Sequence, residues 1–375
     1  MKIGIMTFHG SHNYGSVLQA YATQKVIEKL GFDVEIINFR MESQKRYYSL
    51  YPKDYGALMF GQSLFMILLH KKRKIRFNKF EKFIGNMKLS GPELKNRNEL
   101  QSVLDRYDIL LSGSDQIWSN RIPELEKSAD DFTGVYFFDF AKNNKPKIAY
   151  ASSVGEITYD DLKLKKEYLD EFKFISTREQ YGVNLLNNIL KKDIELVLDP
   201  TFLLDKNEWG RLAGDVRRVK EPYIFLYTLR GLKNGLKWGR ALAELSKRIG
   251  LKVVAIAPFF PIINSRVYNV VDAGPFDFLN LMKNAEVVFT DSFHGTAFSI
   301  NMNKPFFSYV GKNTGDNRKI GIMRQFGLEE RALESLEEIK SINGFSLDYN
   351  QYNASIDKAR DKSREWLKMV LQNCR

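Results

Sequence analysis

Residues 290–296, TDSFHGT, follow the apolar run AEVVF and set an acid, two hydroxyls, a glycine and an imidazole where a strand runs into a helix. Backbone N–H groups at such a junction attract anions, and an imidazole exchanges protons near neutral pH. His294 is therefore the candidate general acid, with Ser292, Gly295 and Thr296 grouped around a bound anion. A lone histidine is more often a packed structural residue than a catalyst, but few turns need all of these groups together.

Other junctions carry comparable chemistry. In SGSDQIW, residues 112–118, Asp115 stands just past a strand end, flanked by Ser114 and Gln116, which are candidate contacts to an acceptor. A carboxylate there accepts a proton from a hydroxyl nucleophile, or simply caps a turn. In STREQYG, residues 176–182, Arg178 offers a rigid fork matched to carboxylate or phosphate, unless an internal ion pair takes it. Arg230, in YTLRG, occupies the matching position after a later strand. The loop GSHNYGS, residues 10–16, lacks the glycine spacing of dinucleotide or P-loop sites. It reads either as a helix cap made by Asn13 or Ser16, or as a cradle for an acceptor through Asn13, Tyr14 and Gly15.

These loops are positioned by short apolar runs alternating with longer amphipathic stretches, the pattern of parallel strands joined by crossover helices. KIGIMTF is a strand, VLQAYATQKVIEKL a helix, Gly31 its C-cap, and DVEIINF the next strand. DILLSGS, KIAYASSV, KFISTRE and IELVLDP continue the same sheet. The pattern then restarts with PYIFLYTLRG, LKVVAIAP, EVVFTDS and KPFFSYV as strands. Between them lie helices in GLKWGRALAELSKRIG and GPFDFLNLMKNA, and another opening at TAFSINMN. In such α/β domains ligands bind beyond the carboxyl ends of the strands. The expected division is a first domain over 1–205 with an insertion at about 41–100, a second over 206–350, and a C-terminal helix over 351–375 docking through its apolar stripe.

Composition narrows the chemistry further. With 375 residues and 44% hydrophobic content the chain can bury two cores. Its single cysteine, Cys374, rules out an intrachain disulfide, and its four histidines show no zinc-type spacing, so no metal site is expected. The amino terminus enters a strand directly, so a cytoplasmic location is expected. The net charge of +12 asks for an acidic partner, but no nucleic-acid recognition motif accompanies it. One segment stands apart: ALMFGQSLFMILLH, residues 57–70, followed by KKRKIRFNKFEKF. The apolar run is shorter than the ~20 residues that span a bilayer. Residues 57–82 read either as an interfacial helix held against the inner face of the membrane or as a core helix followed by a solvated basic one.

Taken in order, NYGSVLQAYA, LLSGSDQIW, YASSVG, STREQYGVNLL, VLDPTFLL, TDSFHGTAFSI with KPFF, and NRKIGIMRQFGLEER resemble the polysaccharide pyruvyl transferase family over about residues 1–332. The resemblance implies an α/β fold of two Rossmann-like domains facing across a cleft, similar to GT-B glycosyltransferases. It also implies transfer of a pyruvyl group from phosphoenolpyruvate, a co-substrate with no further cofactor, onto two hydroxyls of a sugar, giving a ketal and phosphate. The acceptor would be a sugar or lipid-linked oligosaccharide of a surface polysaccharide. Such chemistry needs cations for the donor's anionic groups, an acid for its methylene and a base for the hydroxyl. Arg178, Arg230 and Arg318 fit the first role, His294 the second and Asp115 the third. Some members carry an arginine two residues before the motif histidine, where this chain has Ser292; Lys304, Lys312 or Arg318 would then supply the charge. Two alternatives use the same architecture: a glycosyltransferase taking a nucleotide sugar, and a non-catalytic binding or assembly protein.

Overall fold

The computed structural model describes residues 1–51, 61, 64, 66–119, 122, 124, 132–141, 145–312 and 317–374. Met1–Ser49, Phe83–Leu203 and Asp357–Arg375 form one compact unit, and Leu50–Lys82 with Leu204–Ile356 a second.

The first unit holds six parallel strands, β1 (Lys2–Met6), β2 (Asp33–Ile36), β3 (Ile109–Ser112), β4 (Lys147–Ala149), β5 (Phe172–Thr177) and β6 (Ile194–Leu196), in the order β2-β1-β3-β4-β5-β6. Their helices are α1 (Tyr14–Lys29), α2 (Glu42–Tyr47), α3 (His70–Gly85), α4 (Arg97–Val103), α5 (Tyr159–Lys163), α6 (Lys166–Asp170), α7 (Gln180–Ile189) and α8 (Pro200–Leu203), part of α3 lying in the second unit's segment. Strands covered on both faces must be apolar almost throughout, and β3 (ILLS) is wholly buried.

The second unit repeats the plan with α9 (Lys206–Ala213), β7 (Tyr223–Tyr227), α10 (Leu232–Ile249), β8 (Lys252–Ile256), β9 (Val267–Asn269), α11 (Pro275–Asn284), β10 (Val287–Thr290), α12 (Phe293–Asn301), β11 (Phe306–Tyr309), α13 (Asn317–Gln325), β12 (Ala332–Leu333) and α14 (Asn350–Gln372). The sheet is again all parallel, in the order β12-β11-β10-β7-β8-β9. Helix α10 shows why the sequence folds this way. Gly235, Trp238, Ala241, Leu242 and Leu245 recur at spacings of three and four, so one stripe faces the core of Ile224, Leu226, Val253 and Phe289 while the lysines face outward.

Two placements differ from the sequence reading. Residues 50–82, taken above as part of an insertion in the first domain, belong to the second unit: Arg76 donates to the Pro258 carbonyl at 3.0 Å and Lys79 pairs with Asp277 at 2.8 Å. Most of the apolar run at 57–65 lies outside the described residues. Helix α12 begins earlier than TAFSINMN, so His294 and Gly295 stand in its first turn and not in a loop. The portion of α14 from Asp357 onward belongs to the first unit, where Ser363 accepts the Leu198 N–H at 3.0 Å and Arg360 donates to the Phe202 carbonyl at 2.6 Å. Among the described residues no helix is long and apolar enough to cross a membrane.

Each sheet reverses its winding once, between β1 and β3 in the first unit and between β7 and β10 in the second. At such a point the loops leaving two neighbouring strands diverge and open a crevice at their carboxyl ends, the usual ligand position in this architecture.

Candidate active site

In the first unit the two loops at the reversal are joined by a hydrogen bond: Ser16, in the first turn of α1, donates to Asp115 Oδ2 at 2.6 Å. The Asp115 turn is held open by its neighbours. Gly113 has φ of +128°, and a Cβ there would lie 2.0 Å from the Tyr150 carbonyl oxygen, so no other residue fits. Ser114 donates through Oγ to the Ala151 carbonyl at 2.8 Å, and Asp115 itself has φ of +73°. Gln116, half-buried, donates its N–H to Asp115 Oδ1 at 2.9 Å. Asn13 is the N-cap of α1, accepting from the Gly15 N–H at 3.0 Å. Tyr14, Gly15 and Ser114 are buried in the framework of the loop.

Arg178 differs most from expectation. Its side chain is 1% exposed, and the guanidinium pairs with Asp199 at 2.5 Å and with Asp115 and Glu179 at 3.3 Å each. Burial pulls its pKa down, but the three carboxylates outweigh that and drive it higher still. A cation already surrounded by three buried acids has no charge to give a second anion. The donor-binding role expected of Arg178 is therefore replaced by a positioning one: it clamps Asp115 to Asp199, whose other oxygen takes the N–H and hydroxyl of Thr201 at 3.0 and 2.7 Å. The sequence hides this set because Asp115, Arg178 and Asp199 follow β3, β5 and β6, brought to one edge only by strand order.

Glu124, passed over in the sequence, lies beside this turn. It is 8% exposed, and hydrogen-bonds with Tyr48 and Gln44. Burial pushes its carboxyl up to about 7; the Tyr48 contact opposes this, the charge of Asp115 adds to it, and Gln44 opposes it. Glu124 Oε2 and the Tyr136 hydroxyl are buried without a hydrogen-bond partner among the described residues.

In the second unit the reversal is bridged by Asp291. Its carboxylate accepts from Thr228 Oγ1 at 2.5 Å, the Leu229 N–H at 2.9 Å and Trp238 Nε1 at 3.2 Å. This fixes the loop that carries Arg230, whose guanidinium lies 5.7 Å over the Tyr309 ring, 3.9 Å from Asp291 and 37% exposed. On the other side Ser292 caps α12, accepting the Gly295 N–H at 3.4 Å. Gly295 is dictated by close approach: a Cβ would meet Thr290 Oγ1 at 2.2 Å. Thr296 hydrogen-bonds Ser308 at 2.7 Å and the Ser292 carbonyl at 3.1 Å, so it braces the helix and does not reach for a ligand. His294 occupies the first turn, 7% exposed, its ring edge-on to Phe293 at 5.2 Å.

The cation the sequence reading missed is Lys319, buried on the first turn of α13 beside the half-buried Arg318. It donates to the Asp291 carbonyl at 2.9 Å and to the Tyr309 carbonyl, which places its ammonium at the carboxyl ends of β10 and β11. NRK in the motif near the end of the chain was the available signal, but the flanking Arg318 drew attention first. Lys304 precedes β11 and therefore stands at the opposite edge of the sheet, donating to the Lys283 carbonyl at 3.1 Å; it is not a donor cation. Lys312 follows β11 and is exposed.

The architecture has known counterparts. UDP-GlcNAc 2-epimerases are similar over essentially their whole lengths. That of Methanocaldococcus jannaschii in complex with UDP-GlcNAc and UDP has 13% identity and a TM-score of 0.53, with 100% of both chains covered. The Neisseria meningitidis enzyme bound to UDP-GlcNAc has 11% identity and a TM-score of 0.54, again with 100% of both covered. That of Rickettsia bellii has 10% identity and a TM-score of 0.56, covering 100% of this chain and 97% of its own. At such identities the likeness establishes the fold alone, a GT-B-like pair of Rossmann-like units. No curated protein sequence matches this chain significantly. The family described as polysaccharide pyruvyl transferase matches residues 13–313, which take in Ser16, Asp115, Arg178, the second unit's sheet reversal and the His294 turn. This chain belongs to the polysaccharide pyruvyl transferase family.

Proposed function

We propose that this pyruvyl transferase uses phosphoenolpyruvate as donor and closes a ketal on two hydroxyls of a sugar in a surface-polysaccharide precursor. The observation that carries the donor assignment is the grouping at the β7–β10 reversal of Arg230, Lys319, the start of α12 and His294. Among the described residues there, two cations and a helix N-terminus stand against one carboxylate, Asp291, which suits a small polyanion. His294 gives a proton to the donor methylene, C2 becomes electrophilic, and the first sugar hydroxyl adds there. The C2–O bond to phosphate breaks, and the second hydroxyl closes the ketal. One hydroxyl proton replaces that given by His294; the other leaves with phosphate. In the first unit Asp115, whose Oδ2 accepts from Ser16, is the candidate base for a sugar hydroxyl.

The test is phosphate release from phosphoenolpyruvate with crude lipid-linked glycan as acceptor. His294→Ala is expected to abolish release while the circular-dichroism spectrum and melting profile stay unchanged; an unaltered rate removes His294 from the chemistry. Nucleotide release from a panel of sugar nucleotides, without phosphate release from phosphoenolpyruvate, would establish a glycosyltransferase in its place.

A lipid-linked acceptor also gives residues 57–82 a purpose. Leu68 is 92% exposed, Ile67 54% and Ile75 45%, next to the exposed Lys71, Lys72 and Lys74. Aliphatic side chains turned to solvent beside a lysine cluster match an anionic lipid surface, and would hold the enzyme peripherally at the inner face of the membrane.

A further inference from the structure

We infer that Glu124, Tyr48 and Tyr136, together with the Asp115–Ser16 pair, form a binding site for the neutral, hydroxyl-rich ring of the acceptor, with Glu124 hydrogen-bonding one of its hydroxyls. This rests on the reading of the first unit as the acceptor half.

The argument begins with orphaned polar atoms. Tyr136 is wholly buried, yet its hydroxyl has no hydrogen-bond partner among the described residues, and the groups acting on it electrostatically are Glu124 and Asp115. Glu124 Oε2 is likewise buried and unpartnered. Leaving a buried polar group unsatisfied is costly, and here two such groups lie within electrostatic reach of one another. A bound hydroxyl, at once donor and acceptor, satisfies both kinds of atom.

Charge then selects the ligand. The site offers two carboxyl groups, Glu124 and Asp115, and Arg178, which pairs with Asp115, is shared with Asp199 and Glu179. A site built on acids favours a neutral ligand over an anion. The upward displacement of the Glu124 carboxyl favours the protonated acid, which both donates and accepts as a sugar hydroxyl requires. Position agrees as well: Asp115 lies at the sheet reversal, where a ligand is expected. The rings of Tyr48 and His12, 6.5 Å apart and tilted by 35°, add apolar faces of the kind that line ligand pockets.

The test titrates the intact protein with methyl β-D-galactopyranoside, methyl β-D-glucopyranoside and methyl α-D-mannopyranoside, followed by saturation-transfer NMR, with phosphoenolpyruvate binding measured separately. At least one glycoside is expected to bind, with Glu124→Gln and Tyr136→Phe each weakening it tenfold or more, Glu124→Asp partly restoring it, and phosphoenolpyruvate binding unchanged. In turnover the same variants should raise the acceptor KM with little effect on the donor KM, a split that a merely structural role would not produce. Affinities within twofold of wild type in both variants overturn the site, and so does failure of every glycoside to bind the wild-type protein. Glycoside binding without phosphate release from phosphoenolpyruvate would leave the site standing and remove the pyruvyl donor.

Discussion

Replacing Glu124 by glutamine should stabilise the protein at pH 8 and leave it unchanged at pH 4.5. The native carboxyl titrates at about 7 against 4.5 in the unfolded chain, chiefly because burial disfavours its charge. Between those values the native state keeps a proton that the unfolded state has released, so stability falls as pH rises. A displacement of roughly 2.5 pH units at about 1.4 kcal/mol each costs the wild type roughly 3.5 kcal/mol, fully present above pH 7 and absent below 4.5. For a unit of this size that is a melting shift of roughly 7–14 °C. His9 works in the opposite sense: burial first, and Arg40 next, lower its imidazole from 6.5 to about 4, so the unfolded chain binds the proton first and stability falls as pH drops through that window. Wild-type stability is thus nearly level in these two contributions between pH 4.5 and 6.5, and Glu124→Gln exposes the rising His9 slope. The assay is thermal and urea unfolding of wild type and variant from pH 4 to 8, reading the transition of the first unit. A difference between them that stays constant across that range refutes the reasoning. A stabilising substitution that also weakens glycoside binding is what a group kept for function should show.

Other outcomes follow from packing and charge. Gly295→Ala puts a methyl group 2.2 Å from Thr290 Oγ1 and 2.9 Å from its Cβ. Overpacking of this kind should cost about 1–3 kcal/mol and displace the first turn of α12, so turnover falls with His294 still present; a wild-type melt and rate would contradict the contact. Arg178→Ala strands three buried carboxylates and should lower the stability of the first unit by about 3–5 kcal/mol, seen in urea unfolding, whereas Arg230→Ala should melt like wild type and raise the donor KM tenfold or more. The reverse pattern would return Arg178 to donor binding. Sedimentation with phosphatidylglycerol vesicles should exceed that with phosphatidylcholine, weaken with salt and drop in Ile67→Asp/Leu68→Asp; equal sedimentation with both lipids would rule out the electrostatic contribution.

The sequence made the parallel α/β plan legible because buried strands are apolar throughout and their helices carry a 3.6-residue stripe. It did not reveal β9 or β12, since a three-residue VYN and a two-residue AL carry too little periodicity to be read. His294 stood out through its unusual neighbours, but its helix was read as starting late because Ser, His, Gly and Thr are all weak helix formers. Ser292 and Thr290, which hold that turn by capping and packing, cannot be recognised until the strand before it is in place. Arg178 was legible as a strand-end guanidinium and misjudged in role, because pairing with Asp199 depends on β5 and β6 being neighbours. Lys319 and Glu124 were missed for a related reason: a charged side chain in a polar stretch looks solvated until burial is known.

The serine at position 292 now has a physical account. As N-cap of α12 it accepts the Gly295 N–H, a role that serine fills well and that an arginine, having only donors, cannot. Keeping the cap fixes the turn that carries His294 but removes a cation from it. The charge is recovered from two neighbouring loops: Asp291 holds the Arg230 loop through Thr228 and the Leu229 N–H, and its backbone carbonyl anchors Lys319. One residue thus ties the cap, the guanidinium and the ammonium together, so Asp291 is needed for the second unit's positive character although it is itself an acid. The first unit is built the other way, with Arg178 spent on Asp115, Asp199 and Glu179 and with Glu124 beside them. A cation-rich site suits an anionic donor and an acid-rich one a neutral acceptor, so the roles proposed for the two units divide along their charge.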